Sequence, residues 1–382
     1  MTDIIGISID PQQLAGIVAQ ILAEPTVRLG EWQIKQVSGG FEQFNRVYLL
    51  TGQAHTSSGE HPWSLVLKTM LCDPSNDATP HATRYWKREA AFYQSGLVDD
   101  LDCDLVPPRC FQVTQEGDVT WIWMEAIQDA LPVPWPDEKY GEAARCLGCF
   151  NGAYLAGKPL PDEPWLARRW LSGYIELAAS NLKDLPQLRK LPFFQKVYMN
   201  MSDDFILQAW QRRGEFLHAL ERLPQTFCHQ DAFDGNLLWR RDAIGKDRLV
   251  GLDWAYTGNA AVGEELAPLV VMRTLWIPGT KDKMRHYELC LQRYLDGLAD
   301  AGCAVDARQV RFASLTAIFY RYFFAVSFGE FWTPAREEAN HAFIASSFGI
   351  PSVDILFDAL SAEIPFSQTI YQQASELLPQ IA

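Results

Sequence analysis

The sequence predicts an α+β chain in which a small β-rich N-terminal part precedes a larger, mainly helical part. Two observations carry this. Short apolar-polar alternating runs bounded by turn residues fill the first third, whereas helix-like stretches dominate from about residue 142 onward. A Pro-rich stretch at 131–136 separates the two patterns. The 382 residues leave room for two or three domains or lobes. A chain of this size buries enough surface to fold without a disulfide or metal staple.

Strands are expected at 31–37, 45–51, 63–70, 109–113 and 120–124. After a loop at 72–78, Thr79 is placed to N-cap a helix with Pro80 in its first turn, running to about residue 97. Further helices are expected at 142–155, 165–180, 204–222, 264–274, 281–301, 306–331 and 352–363. Short apolar strands are expected at 236–240 and 248–252. The stretch 312–329 carries one charge, Arg321. A central arginine is costly in a bilayer, so this stretch reads as a buried helix and no membrane partner is expected.

Composition excludes other classes. Lys plus Arg is 33 against 47 Asp plus Glu, a formal charge of −14. That balance argues against nucleic-acid or anionic-membrane binding. Of the eight cysteines, only Cys146 and Cys149 form a CxxC, with no second pair and no histidines at zinc spacing. They are expected to be reduced thiols one helical turn apart, which suits a cytoplasmic protein. The start, Met-Thr-Asp-Ile-Ile, lacks a basic n-region, so no signal peptide is expected.

The chemistry is concentrated at 227–254. His229-Gln230-Asp231 is followed by Asn236, and the apolar run to Leu252 delivers Asp253-Trp254. Phosphoryl transfer to a hydroxyl needs one carboxylate to take or orient the hydroxyl's proton. It also needs an amide oxygen and a second carboxylate to hold magnesium against nucleotide phosphates. The spacing lets one loop present Asp231 and Asn236, with Asp253 beside it at a strand end.

These segments, HQDAFDGN and GLDW, resemble those of the protein-kinase-like small-molecule phosphotransferases, the family of aminoglycoside phosphotransferases and choline kinases. The resemblance implies a bilobal protein-kinase-like fold. It implies Asp231 as catalytic base, Asn236 and Asp253 as magnesium ligands, and His229 as an architectural residue. Gly263-Glu264-Glu265-Leu266-Ala267 looks like the family's acidic-Leu-Ala helix start, with Glu265 where Asp is usual. ATP and Mg2+ are the implied cofactors. The implied lobes are 1–127 for nucleotide and 128–382 for the catalytic loop and acceptor.

A kinase N-lobe needs a lysine on its third strand and a glutamate on the next helix. Lys68 and Glu89 stand in those positions. Ser38, Gly39 and Gly40 lie where a nucleotide-covering loop is expected, although G-x-G-x-x-G is missing. By position, the backbone of Glu125 to Ile127 is expected to meet adenine. Phe233 and Gly235 replace the Lys and Arg that protein kinases carry around the catalytic loop. Asp-Trp-Ala replaces D-F-G and no A-P-E follows, so the expected acceptor is a small molecule bearing a hydroxyl. Asp203, Asp204, Glu264 and Glu330 would suit an amine-bearing acceptor. Trp165, Trp170, Trp332 and Tyr320 would suit a sugar-like or cationic one. The competing reading is a nucleotide-binding pseudokinase without turnover, which would have no need of Asp231.

Overall fold

The alternating runs of the first third build one five-stranded antiparallel sheet. The computed structural model describes residues 3–381 except 5–6, 38–44, 72–78, 81, 84, 98, 100–102, 169, 177, 242–244, 277–282, 329–336 and 348–349. The strands are β1 (Arg28–Val37), β2 (Asn45–Thr56), β3 (Gly59–Leu71), β4 (Cys110–Glu116) and β5 (Val119–Glu125). Their spatial order is β1-β2-β3-β5-β4. Strands β2 and β3 run further than their apolar residues imply, because Thr56 pairs with Gly59 across a two-residue turn and the ladder extends through polar positions. Gly59, at φ 128°, takes the left-handed backbone that closes this turn.

The period-2 pattern gives the sheet two different faces. Tyr48, Leu50, Ala54, Leu65, Leu67, Trp121 and Trp123 form a core beneath helix α1 (Pro11–Leu22). This helix is absent from the expectations above, yet its signals are present. Asp10 caps the amide of Gln12 at 3.0 Å, Pro11 opens the helix, and Leu14, Ile17 and Val18 are buried. The opposite face carries Val47, Leu49, Val66, Lys68, Ile122 and Met124, which oppose one another in the strand registers.

The helix expected over 79–97 shrinks to α2 (Arg88–Gln94). Thr79 and Pro80 neither cap nor open it. Buried Arg88 explains this, because its guanidinium takes the carbonyls of Pro80 at 3.3 Å, Thr83 at 3.2 Å and Ala82. Those carbonyls are satisfied by a side chain and need no helical partners.

The C-terminal part is helical. Its main elements are α3 (Asp137–Leu155), α4 (Trp170–Glu176), α5 (Asp203–Arg222), α6 (Leu266–Trp276), α7 (Lys283–Asp300), α8 (Ala307–Ala317) and α9 (Val353–Ile381). The helix expected over 165–180 is broken, because the Trp165 carbonyl goes to Arg88 and Ala167 pairs with Gly258. The helix expected over 306–331 is α8, then a wider π-helical turn, Ile318–Phe324, then Ala325–Phe328. Helix α9 continues well past residue 363, through Pro365 and Pro379. Burial of Ile364, Phe366, Ile370, Tyr371, Ala374 and Leu378 outweighs the loss of roughly 3 kcal/mol that an interior proline imposes. Most of 312–328 lies in the core, and no helix among the described residues is long and apolar enough to cross a membrane.

Two small ladders interrupt the helices and carry the site. Strand β6 (Gln225–Cys228) pairs with β9 (Gly258–Ala261), and β7 (Leu237–Arg241) pairs with β8 (Asp247–Gly251). Leu105–Val106 pairs in parallel with β8, so the N-terminal part supplies one strand to the C-terminal part. Cys146 and Cys149 are half-buried free thiols on α3.

Candidate active site

The loop between β6 and β7 is held by its own backbone. The His229 and Gln230 amides donate to Glu265 Oε2 and Oε1 at 2.6 and 3.0 Å. Glu265 is fully buried at the start of the segment leading into α6. Burial lifts its pKa to about 7, and the two amides pull the other way by favouring the carboxylate. This clamp forces Gln230 into the left-handed region, at φ 67°. The His229 ring is fixed as the neutral tautomer. Its Nε2 donates to the Leu252 carbonyl at 2.8 Å, which can only accept, and its Nδ1 accepts from the Asp231 amide at 3.3 Å. Burial lowers its pKa to about 4 and keeps it uncharged.

Asp231 thereby projects from a rigid loop. Asn236 Nδ2 donates to its Oδ2 at 2.8 Å and to its carbonyl at 3.0 Å. The Leu252 amide donates to the Asn236 carbonyl at 2.7 Å, tying the loop to the segment that presents Asp253. Asp253 sits at φ 58°, which aspartate tolerates better than most residues and which turns the chain directly after β8. Burial raises the Asp231 pKa to about 7, and the neighbouring Asp253 charge adds to this while Arg321 opposes it.

The sheet and α2 complete the site from the other side. Lys68 Nζ lies 2.5 Å from Glu89 Oε2 and 2.9 Å from Asp253 Oδ1. Burial disfavours the ammonium, but the Asp253 and Glu89 carboxylates outweigh it, so Lys68 stays charged. For Asp253, burial is likewise outweighed by Lys68, and its pKa falls below the ordinary range. Burial raises the pKa of Glu89 against the pull of Lys68. Trp254 stacks on Phe92 of α2, with ring centroids 4.4 Å apart, and locks the glutamate's helix to the Asp253 turn. Arg88 adds a second lock at the Ala255 carbonyl, 2.8 Å away.

Five of the sequence-derived residues, Lys68, Glu89, Asp231, Asn236 and Asp253, thus fall in one continuous network. The donor set also suits magnesium. Asp253 offers a carboxylate that is 35% exposed. Asn236 turns its nitrogen toward Asp231, which leaves its Oδ1 without a protein donor among the described residues. No cluster of three or more His, Cys, Asp or Glu that could hold a metal occurs among the described residues. A magnesium ion held by one or two protein oxygens completes its shell with phosphates and water.

The segment expected to meet adenine leaves β5 beside this network. Glu125 accepts from Arg240 of β7, 3.1 Å from each oxygen, and the Ile127 amide donates to no protein acceptor among the described residues. Leu49, Val66 and Leu238 are half-buried apolar residues, the first two on the sheet face that bears Lys68. Strand alternation alone marks Leu49 and Val66. Ser38, Gly39 and Gly40 lie outside the described residues, as do Glu330 and Trp332.

The acceptor expectations fare differently. Asp203 and Asp204 occupy the first turn of α5, where Asp203 pairs with Arg189 at 2.6 Å. Glu264 is buried and accepts the Ala261 amide at 2.9 Å. The Tyr320 hydroxyl donates to the Ala209 carbonyl at 2.9 Å in the helical core. Trp165 serves Arg88 through its carbonyl. Trp170 stands beside Arg321, which lies 5.8 Å from its ring and which the sequence marks only as a single charge in an apolar run.

The sequence model of the phosphotransferase enzyme family matches residues 125–308, which contain Asp231, Asn236, Asp253 and Glu265. No curated protein matches the chain. Among solved structures, choline kinase from Cryptosporidium parvum is 13% identical, with 97% of each chain covered and a TM-score of 0.52. An aminoglycoside phosphotransferase from Alicyclobacillus acidocaldarius is 12% identical, covering 97% of this chain and 98% of its own, with a TM-score of 0.51. At these identities the likeness is one of fold. Residues 125–308 therefore resemble the phosphotransferase enzyme family, and the chain has a bilobal, protein-kinase-like α+β fold.

Proposed function

We propose that this protein is an ATP- and magnesium-dependent kinase that moves the γ-phosphoryl group to a hydroxyl of a small molecule. The observation that carries this reading is the convergence of Lys68, Glu89 and Asp253 on one side and Asp231 with Asn236 on the other, from separate elements of the chain. We place the lobe boundary after Ile127, with 1–127 receiving the nucleotide and 128–382 the acceptor.

In this reading Lys68 exchanges its contact with Asp253 for the nucleotide's phosphates, and Glu89 keeps it aimed. Asn236 and Asp253 would hold magnesium, which when bound neutralises phosphate charge. Asp231 orients the acceptor hydroxyl. As the acceptor oxygen bonds to the γ-phosphorus, the bond from that phosphorus to the bridging oxygen breaks and its electron pair leaves with ADP. The hydroxyl proton passes to Asp231 and then to water. His229 and Glu265 hold the loop and touch no reacting atom. An intact Asp231 favours turnover over the pseudokinase alternative, since a scaffold gains nothing from a half-buried carboxylate held at a high pKa.

The test is acceptor-dependent ADP release from magnesium-ATP over a panel of small hydroxylated compounds, with phosphorus NMR of the product. A phosphate ester that forms with wild-type protein and not with Asp231→Asn supports the reading. AMP transfer would replace it with transfer of a nucleotide fragment on the same fold, and nucleotide binding without turnover on any acceptor would replace it with the pseudokinase reading.

A further inference from the structure

The π-helical turn Ile318–Phe324 presents one cation, Arg321, within an otherwise apolar helical layer. A π turn widens the helix by one residue and recurs at functional sites. Here it sets the Arg321 guanidinium 3.5 Å from the Tyr174 ring centroid, 5.0 Å from that of Tyr322 and 5.8 Å from that of Trp170. Tyr256, three residues beyond Asp253, adds a fourth ring 6.1 Å from Tyr174. Among the described residues no carboxylate lies within ion-pair distance of Arg321. Rings hold the cation in place of a direct carboxylate partner.

The polar atoms of this box are lopsided. Arg321 Nε, Tyr322 OH and Trp170 Nε1 are all buried and, among the described residues, all lack a hydrogen-bond partner. The indole and guanidinium nitrogens can only donate, and the phenol is available to donate as well. Three groups around one cation that lack partners among the described residues call for a group that is anionic and rich in acceptor oxygens. The box also adjoins the reacting centre. The charges of Arg321 and Asp231 each shift the other's pKa, and Asp231 likewise raises the pKa of Tyr256 and Tyr322.

We propose that Arg321, with Trp170 and Tyr322, binds a carboxylate or phosphate group of the acceptor, so that the molecule phosphorylated is a hydroxylated acid and not an amine or a neutral sugar. The proposal rests on the kinase reading above and deepens it. The anion would sit in the box while a hydroxyl of the same molecule reaches Asp231. Two anions, nucleotide and acceptor, would then occupy one cleft, each with its own cation, Lys68 or Arg321.

The experiment uses the full chain with ADP and magnesium. Melting temperature is followed on adding glycerate, malate or glycerol phosphate, against glycerol, glucose, ethanolamine and choline. The same compounds with ATP are scored for ADP release. Expected is a melting shift or turnover confined to the anionic compounds, with KM for the best acceptor rising about 10–100-fold in Arg321→Met, as loss of a charge-assisted contact implies. Arg321→Lys should recover part of the loss and Tyr322→Phe, which keeps the fold's packing, should show a smaller rise. ADP itself should shift wild type and variants alike. A neutral or amine acceptor whose KM is unmoved in the Tyr322 and Arg321 variants overturns the proposal, and so does the absence of any response to the anionic compounds while ADP still stabilises the protein. Failure of ADP to stabilise wild type defeats the kinase reading itself, and the inference falls with it.

Discussion

Replacing Asp231 by asparagine should cost activity and, above neutral pH, increase stability. Burial and the Asp253 charge raise the Asp231 pKa from 3.8 to about 7. A carboxyl whose folded pKa exceeds its unfolded value contributes stability that is complete below the unfolded pKa and lost as pH rises through the folded one. Between about pH 5.5 and 7 the unfolded chain ionises this group while the folded chain keeps its proton, so its contribution falls by about 1.4 kcal/mol per pH unit. That is about 2 kcal/mol across the window, or about 1 kcal/mol after allowing for the water that reaches a half-buried group. In the Asp231→Asn variant the side chain does not titrate, and its oxygen can still accept from Asn236. Urea midpoints of both proteins at about pH 5.5 and pH 8 read the difference directly, and the variant's advantage should grow by about 1–2 kcal/mol toward pH 8. Turnover should fall roughly 10²–10⁴-fold, the range of general-base contributions. Stability curves that run parallel from pH 5.5 to 8 would refute the raised pKa. An undiminished rate would remove Asp231 from the chemistry.

Four further outcomes are expected. Wild-type kcat/KM should rise with pH through about 7 as Asp231 loses its proton, and a profile flat between pH 6 and 8 counts against its role as base. Lys68→Met should weaken nucleotide binding in calorimetry. It should also destabilise the fold by roughly 1–3 kcal/mol, because buried Glu89 loses its partner and must take up a proton, whereas Glu89→Gln should cost less activity. Asp253→Asn should weaken ATP binding only when magnesium is present, and equal losses with and without the metal would show that it is no ligand. Glu265→Gln can accept one loop amide but meets the other with an NH2 group, so unfolding should become easier by about 1–3 kcal/mol, with a lower kcat and little change in nucleotide affinity.

What the sequence determined by itself was local or periodic. Alternation located the five strands of the sheet, and it placed Lys68 on the face opposite Leu67 because side chains on a strand alternate. The five-residue interval from Asp231 to Asn236 put both on one loop, since so short a span between strands leaves no other option. Tertiary structure decided what depends on partners distant in sequence. Arg88 collected carbonyls that would otherwise have extended α2 toward Thr79, and the helical core carried α9 through Pro365, in each case because burial and buried hydrogen bonds outweigh local propensity. Glu265 became the clamp of a loop 35 residues upstream, at Gln230, only once β6 and α6 were packed together. Arg321 shows the same limit most clearly. In the sequence it is a single charge in an apolar run, and its meaning comes from a π turn that sets it against the Tyr174 ring, where it feels the Asp231 charge. A cation's role is set by which charges and rings surround it in space, and that neighbourhood is assembled from three segments that the chain order keeps far apart.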